Sequence, residues 1–171
     1  GTGGMGKGFA LRFCKKHAII IGSRDAERAK TAANEYSGLA KDAYGNINGT
    51  IVGKDNLSVA NESEVLILSI PYENIDTTCS ELLPKINDDC IVISPIVPMT
   101  KTDVGFECIP IKENKLFSHQ TVEKHMKDKT KLVSAFHVIS EKKLVNPTLS
   151  LDYDIFVVGD DKNSVEAVNS L

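Results

Sequence analysis

The feature that most constrains the fold is a set of short, continuous apolar runs that alternate with helical patterns. Residues 17–21, 64–71 and 90–94 each contain an unbroken run of Ile, Val or Leu, which is typical of parallel strands covered on both faces. The stretches between them have helical spacing or helix-forming composition. This order predicts an α/β protein with a doubly wound, mainly parallel sheet and helices on both faces.

The same alternation of apolar runs and helical patterns predicts where each strand and helix begins and ends. Strands are expected over 17–21, 50–52, 64–71, 90–94, 131–137 and 154–158, and helices over 6–16, 26–36, 72–83, 116–127 and 162–171. Two prolines predict an irregular, extended segment over 95–98. Asp25 is expected to cap the second helix, and Asp160 and Asp161 the last one.

A glycine-rich loop precedes the first predicted helix. The segment Gly1-Thr2-Gly3-Gly4-Met5-Gly6 matches G-x-G-x-x-G, in which Gly1 permits a tight turn, Gly3 lets a pyrophosphate approach the backbone, and Gly6 allows close helix packing. With the strand order, this motif predicts one Rossmann-type nucleotide-binding domain over residues 1–171. The buried strand that normally precedes such a loop is expected to lie before residue 1.

The end of the strand over 17–21, which is the second strand when the one expected before residue 1 is counted, predicts which dinucleotide binds. An NAD site has an acidic residue at this position, which accepts hydrogen bonds from the ribose hydroxyls. The 2′-phosphate of NADP is bound instead by hydroxyl and guanidinium donors. Ser23 and Arg24 end this strand, and Arg28 lies one turn into the next helix. Asp25 is explained as a helix cap, so the chemistry favours NADP(H).

Two further clusters follow parallel strands and could line the binding site of a flat ring. The first is Ser69-Ile70-Pro71-Tyr72 and the second is Ser94-Pro95-Ile96-Val97-Pro98. Apolar side chains beside prolines exclude water, which hydride transfer requires more than an acid or base. His137, at the predicted end of a strand, could donate to a bound carbonyl or phosphate. His119 and His125 are expected on a helix or loop surface.

Composition excludes several other classes. Twenty basic and 23 acidic residues are dispersed along the chain, which argues against nucleic acid as a partner. No apolar run approaches the length of a membrane span. Cys14, Cys79, Cys90 and Cys108 lie far apart, so they are expected to be reduced, buried thiols of a cytoplasmic protein that binds small molecules, and no metal site is predicted.

Together these segments resemble a known family. The glycine loop with Lys7-Gly8-Phe9-Ala10-Leu11-Arg12, then Ile21-Gly22-Ser23-Arg24, Ile70-Pro71-Tyr72-Glu73, Ser94 to Pro98, Ser134 to Ile139 and Gly159-Asp160-Asp161, is similar to the NADPH-dependent reductases of coenzyme F420, also called F420H2:NADP oxidoreductases. The resemblance runs across essentially the whole chain. Members of the family begin with one more strand and end with a small helical region, neither of which is expected here.

The resemblance implies reversible hydride transfer between NADP(H) and the 5-deazaflavin F420, in a family that forms homodimers. No general acid is implied, because the protein mainly positions two reactive cofactors. Thr2, Gly3, Gly4 and Met5 would hold the pyrophosphate, and Ser23, Arg24 and Arg28 the 2′-phosphate. The nicotinamide side would be formed by Ile70, Asn74 and Val97, beside Pro71, and the deazaflavin side by Pro95, Ile96, Pro98, His137 and Ile139.

The sequence departs from the family pattern at a few positions and leaves two other functions open. Tyr72 stands where a Trp is usual, Asn74 replaces a His, and Ser140 and Glu141 replace small apolar residues. One alternative is another NADP-dependent reductase, of the ferric-reductase-like or imine- and pyrroline-reducing kind. The other is a non-catalytic module that senses NADP.

Overall fold

A computed structural model describes residues 1–110 and 116–171. The helices are α1 Gly4–Phe13, α2 Ala26–Tyr44, α3 Asn56–Glu62, α4 Ile75–Leu82, α5 Ser118–Glu123, α6 Glu141–Leu144 and α7 Lys162–Asn169. The strands are β1 Ile19–Ser23, β2 Ile51–Asp55, β3 Val65–Ile67, β4 Ile91–Ser94, β5 Met99–Thr102, β6 Gly105–Cys108, β7 Leu132–Ser134 and β8 Val158–Gly159.

The chain divides into two compact units. Unit 1 contains residues 1–63 and 138–155 together with Leu171, and unit 2 contains residues 64–137 and 156–170. No helix in the described ranges is both long enough and apolar enough to cross a membrane.

Unit 1 is built on a parallel pair of strands, joined by a long helix. β1 and β2 pair from Ile19 opposite Ile51 to Ser23 opposite Asp55, and α2 connects them. The buried face of α2 is a stripe of small residues with one tyrosine: Ala29, Ala32, Ala33, Tyr36 and Ala40. A β-carbon on Gly53 would stand 2.2 Å from the Ala29 backbone, so this glycine allows α2 to lie directly against β2.

A half-buried arginine joins α1 to the later part of unit 1. The Arg12 guanidinium donates to the carbonyls of Lys143, Leu144, Asn146 and Leu149 over 2.6–3.0 Å. These carbonyls follow or end the short helix α6, where they lack intrahelical donors. Nearby, a β-carbon on Gly8 would overlap the Leu144 side chain at 2.5 Å. Gly8 therefore lets α6 approach α1 closely.

Unit 2 holds a four-stranded sheet in the order β3-β4-β7-β8. The β3–β4 and β4–β7 pairs are parallel, and β8 is antiparallel to β7. Val92, Ile93, Leu132 and Val133 are 1% exposed or less, so the two central strands form the core. The prediction of an α/β protein with mainly parallel strands is confirmed.

Several predicted bounds were wrong. The second helix runs to Tyr44 rather than Tyr36 because its buried alanine stripe continues through Ala40. The 72–83 helix begins as a 3₁₀ turn over Tyr72–Asn74, and the 116–127 helix is confined to Ser118–Glu123. The β5–β6 hairpin was not predicted; its turn contains Gly105 at φ 143°, a conformation open to glycine.

The predicted strands 64–71, 131–137 and 154–158 are also shorter than expected. The strand predicted over 131–137 ends at Ser134, and two residues later Phe136 adopts φ 69°, which is incompatible with an extended strand. His137 therefore lies in a turn after the strand. A second correction concerns Cys108, which is exposed on β6, whereas Cys14, Cys79 and Cys90 are free and buried as predicted.

Candidate functional site

The glycine loop of unit 1 leads directly into α1. Gly3 precedes the first helical residue, Gly4, and its carbonyl accepts from Lys7 N at 2.9 Å. The first backbone N–H groups of a helix have no acceptor within the helix, and no side chain among the described residues caps this end. A β-carbon on Gly3 would meet nothing within 4 Å. The loop therefore offers unpaired N–H donors beside open space, which fits a pyrophosphate.

A carboxylate lies next to the same helix end. A β-carbon on Gly4 would stand 2.2 Å from the Glu141 carboxylate oxygen Oε1. Glu141, the first residue of α6, is one of the departures from the family pattern. Its negative charge occupies space at the N-terminus of α1, where the helix dipole favours anions. No pattern in the sequence indicated that residue 141 would lie beside the loop.

The β1 end lies at the start of α2 and carries the predicted phosphate donors. Asp25 caps α2, since its Oδ1 accepts from Glu27 N at 2.9 Å and Arg28 N at 3.2 Å. This confirms the helix-cap interpretation of Asp25. Ser23 Oγ accepts from Asp25 N at 3.2 Å, which leaves the hydroxyl proton to donate elsewhere.

The two arginines of this site are available to a ligand. Arg24 and Arg28 are both exposed. Within residues 1–110 and 116–171, neither guanidinium donates a hydrogen bond or forms an ion pair. Both follow the strand end within five positions of Ser23, so two cations and a hydroxyl share the region where α2 begins. Such a set fits a phosphate monoester.

The other predicted residues lie in unit 2, at the carboxyl ends of neighbouring parallel strands. Ile70 and Pro71 follow β3, residues 95–98 follow β4, and His137 follows β7. The order β3-β4-β7 places these three segments side by side along one sheet edge. Ile139 belongs to unit 1 and is buried.

Burial distinguishes the members of this apolar group. Pro95 and Ile96 are buried and offer little surface to a ligand. Ile70, Val97 and Pro98 are half-buried, and Pro71 and Asn74 are exposed. The edge therefore presents apolar side chains, with few charges, to a flat ring that must be shielded from water.

Sequence reasoning missed a cluster of polar side chains in unit 2, formed by His119, Ser134 and Ser94. His119, which was expected on the surface, is half-buried, and its Nδ1 hydrogen-bonds Ser134 Oγ at 2.7 Å. Ser134 pairs with Ser94 across β4 and β7. The Ser94 hydroxyl is buried, and no residue in the described ranges hydrogen-bonds it. Periodicity could not find this group, because its members come from three separate elements.

His137 itself is solvent-accessible but has enough protein around it to change its titration. Partial desolvation, with the charge of His119 as the smaller contribution, lowers the pKa of His137 below its usual 6.5. The imidazole is therefore neutral at pH 7 and has one N–H to donate. Among the described residues, no three His, Cys, Asp or Glu side chains cluster as a metal site requires.

Comparisons with known proteins agree with this geometry. A crystal structure of a candidate F420-dependent NADP-reductase from Arthrobacter sp. FB24 matches with a TM-score of 0.67 and 17% identity, over 99% of this chain and 76% of that one. This similarity shows the fold. Residues 1–98 match the family described as NADP oxidoreductase, coenzyme F420-dependent.

Two relatives extend the similarity to the whole chain. The F420-dependent NADP reductase of Methanocaldococcus jannaschii is 33% identical over 171 residues, which is 100% of this chain and 75% of that protein. The enzyme of the same name from Methanothermobacter thermautotrophicus is 27% identical, over 100% of this chain and 72% of that protein. The chain belongs to the coenzyme F420-dependent NADP oxidoreductase family, as the sequence motifs indicated.

Proposed function

We propose that this protein transfers a hydride reversibly between NADP(H) and the deazaflavin coenzyme F420. The observation that carries the proposal is the start of α2, where Ser23, Arg24 and Arg28 supply a hydroxyl and two exposed cations beside β1, neither of which pairs with another described residue. An NAD site would place a carboxylate there to accept from the ribose hydroxyls. Asp25, which follows this strand end, uses its carboxylate to cap α2, and Asp55, opposite Ser23 on β2, caps α3.

Different residues bind different parts of the dinucleotide. Thr2, Gly3, Gly4 and Met5, within the loop that Gly1 and Gly6 bound, hold the pyrophosphate through backbone N–H groups. Ser23, Arg24 and Arg28 bind the 2′-phosphate. Ile70, Pro71, Asn74 and Val97 contact the nicotinamide side.

The deazaflavin side is assigned to Pro95, Ile96, Pro98, His137 and Ile139, of which Pro98 and His137 have surface open to a ligand. His137, neutral at pH 7, donates a hydrogen bond to a polar atom of the ring or tail, while Val97 and Pro98 keep water from the rings. The two cofactors supply the hydride chemistry themselves when both are bound. The protein contributes by holding the rings in contact.

The first experiment follows NADPH absorbance on mixing with oxidised F420, with FMN and a ferric chelate as parallel acceptors. Loss of absorbance with the deazaflavin alone supports the proposal. Oxidation of NADPH by FMN or ferric chelate and not by F420 would identify another NADP-dependent reductase. Tight NADPH binding without turnover on any acceptor would identify a sensing module.

A variant tests the choice of nucleotide. Arg24→Ala should weaken NADPH binding by about 1.5–3 kcal/mol and NADH binding much less, because only NADPH carries the 2′-phosphate. Lys41→Ala removes an exposed cation from the last turn of the same helix and should affect neither nucleotide. Equal losses for NADPH and NADH in Arg24→Ala would contradict the 2′-phosphate assignment.

A cytoplasmic location and a homodimeric state belong to the same proposal. The location is supported by the four free thiols, which persist in a reducing compartment. The dimer is supported by the family resemblance. Sedimentation of the protein at several concentrations would test it.

A further inference from the structure

Tyr36 connects the buried face of α2 to the glycine loop. It is the one large side chain in the alanine stripe of α2 and is 3% exposed. Its hydroxyl donates to the Thr2 carbonyl at 3.0 Å. Burial, and then the charge of Glu35, raises the pKa of Tyr36 above its usual 10, so the hydroxyl keeps its proton and remains a donor.

The contact sets the direction of the next peptide group. In a planar trans peptide the carbonyl of one residue and the N–H of the next point in opposite directions. A Thr2 carbonyl that is turned toward Tyr36 therefore turns Gly3 N–H away from α2. No residue in the described part of the chain accepts from this N–H, and the space beside Gly3 is open.

Lys7 also contacts Tyr36, through the face of its ring. Its ammonium group lies 5.5 Å from the centre of the Tyr36 ring and 2.7 Å from Glu35 Oε1. The cation, the ring and the carboxylate link the second turn of α1 to α2. The tyrosine ring therefore contacts the Lys7 ammonium while its hydroxyl bonds the loop.

We propose that Tyr36 is a positioning residue that pre-orients Gly3 N–H toward the pyrophosphate of the bound dinucleotide. This inference rests on the proposed function, because it assumes that the loop binds a dinucleotide. Without the hydroxyl, the Thr2–Gly3 peptide is free to rotate, and the loop must be ordered again each time the ligand binds.

The helix contains its own control. Tyr44 also lies on α2, its hydroxyl donates to a backbone carbonyl, that of Pro147, at 3.1 Å, and Lys15 lies 5.1 Å from its ring centre. Tyr44→Phe and Tyr36→Phe thus each remove one hydroxyl-to-carbonyl bond and keep the ring. Only Tyr36 reaches the glycine loop.

The test compares two ligands on the full chain. NADPH contains the pyrophosphate, whereas adenosine 2′-monophosphate keeps the 2′-phosphate and lacks the pyrophosphate. Tyr36→Phe should raise the Kd for NADPH about 3- to 10-fold and leave the Kd for adenosine 2′-monophosphate unchanged. It should also raise the KM for NADPH by a similar factor with kcat unchanged. Tyr44→Phe should change none of these values.

The outcomes separate this inference from the proposed function. Unchanged NADPH binding in Tyr36→Phe would overturn the inference while the wild-type affinity still supported NADPH as a ligand. Equal losses for both ligands, or equal losses in Tyr36→Phe and Tyr44→Phe, would assign the effect to a general disturbance of α2 and would also overturn it. A wild-type protein that binds no NADPH would refute the proposed function itself, and the inference with it.

Discussion

The Nδ1 of His119 lies 2.7 Å from the hydroxyl oxygen of Ser134, which joins the first turn of α5 to the carboxyl end of β7. This contact holds a titratable ring close to the turn that carries His137. The charge of His119 contributes, after partial desolvation, to the lowered pKa of His137. A histidine that is 18 positions away in the sequence therefore influences the protonation of His137.

Replacing His119 should move the titration of His137. His119→Gln removes a charge that opposes protonation, so the pKa of His137 should rise toward its usual 6.5. NMR titration of the imidazole protons measures this directly. His125→Gln is the control, because His125 bonds Asp76 at 2.8 Å instead. An unchanged titration in His119→Gln would show that the two rings do not interact.

The same pKa predicts a pH dependence. Because the pKa of His137 is lower in the folded protein than in the unfolded chain, its contribution to stability is present above the unfolded value. That contribution is lost as the pH falls from about 6.5 through the folded value. Protonation should also reduce F420 turnover over the same range if the neutral ring contacts the deazaflavin. His137→Gln should remove this part of the pH profile.

The carboxylate beside Gly4 should act against the dinucleotide. Glu141→Gln removes a negative charge at the N-terminus of α1, so NADPH should bind about 2- to 5-fold tighter, while the ligand-free protein loses up to about 1 kcal/mol of stability. Fluorescence titration and thermal unfolding measure the two effects. Glu166→Gln, on α7, is the matched control. Weaker NADPH binding in Glu141→Gln would instead make this residue part of the binding site.

Two glycines of unit 1 should respond in opposite directions to alanine. Gly53→Ala places a methyl group 2.2 Å from the Ala29 backbone, and should destabilise the fold by about 1–3 kcal/mol. Gly38→Ala lies in the interior of α2, with nothing within 4 Å of the new atom, and should stabilise it by about 0.5–1 kcal/mol. Urea unfolding curves give both values. The packing of α2 on β2 would be refuted if Gly53→Ala were neutral.

Of the four cysteines, Cys108 should react fastest with a thiol reagent in the native protein. Cys108 is exposed, whereas burial raises the pKa of Cys79 to about 12 and of Cys90 to about 11, and raises that of Cys14. A thiolate reagent should therefore modify Cys108 in the native protein and the other three cysteines only after unfolding. The reaction of Cys108 should appear as a fast phase of modification, and Cys108→Ser should abolish that phase. A fast phase that persists in this variant would show that a buried cysteine becomes accessible in the native state.

The alternation of apolar runs with helical patterns was enough to predict the fold class and most of the elements. The 99–108 hairpin was not predicted, because its strands are exposed and carry neither a continuous nor an alternating apolar pattern. Phe136 shows a different limit, since propensity favours an extended aromatic residue at a position where the turn imposes φ 69°.

Sequence reasoning about the site works on residues that are adjacent in the chain. The Asp25 cap was predicted from the order of residues around one strand end and is confirmed, and the 2′-phosphate assignment of Ser23 and Arg24 rests on the same order. Tyr36, His119 and Glu141 could not, because each contacts a segment that is 15 or more positions away. Such contacts are created by tertiary packing and leave no local pattern in the sequence.

The bonds of Arg12 have a consequence for how the protein is made. Their carbonyl acceptors are 131 to 137 residues further along the chain, so they do not yet exist when the ribosome has released the first helix. Until Leu149 emerges, that helix exposes a surface that later becomes buried, and the closing of so long a loop is slow. Unit 1 should therefore be completed only after residue 149 has left the ribosome, and the nascent chain should be vulnerable to aggregation until then.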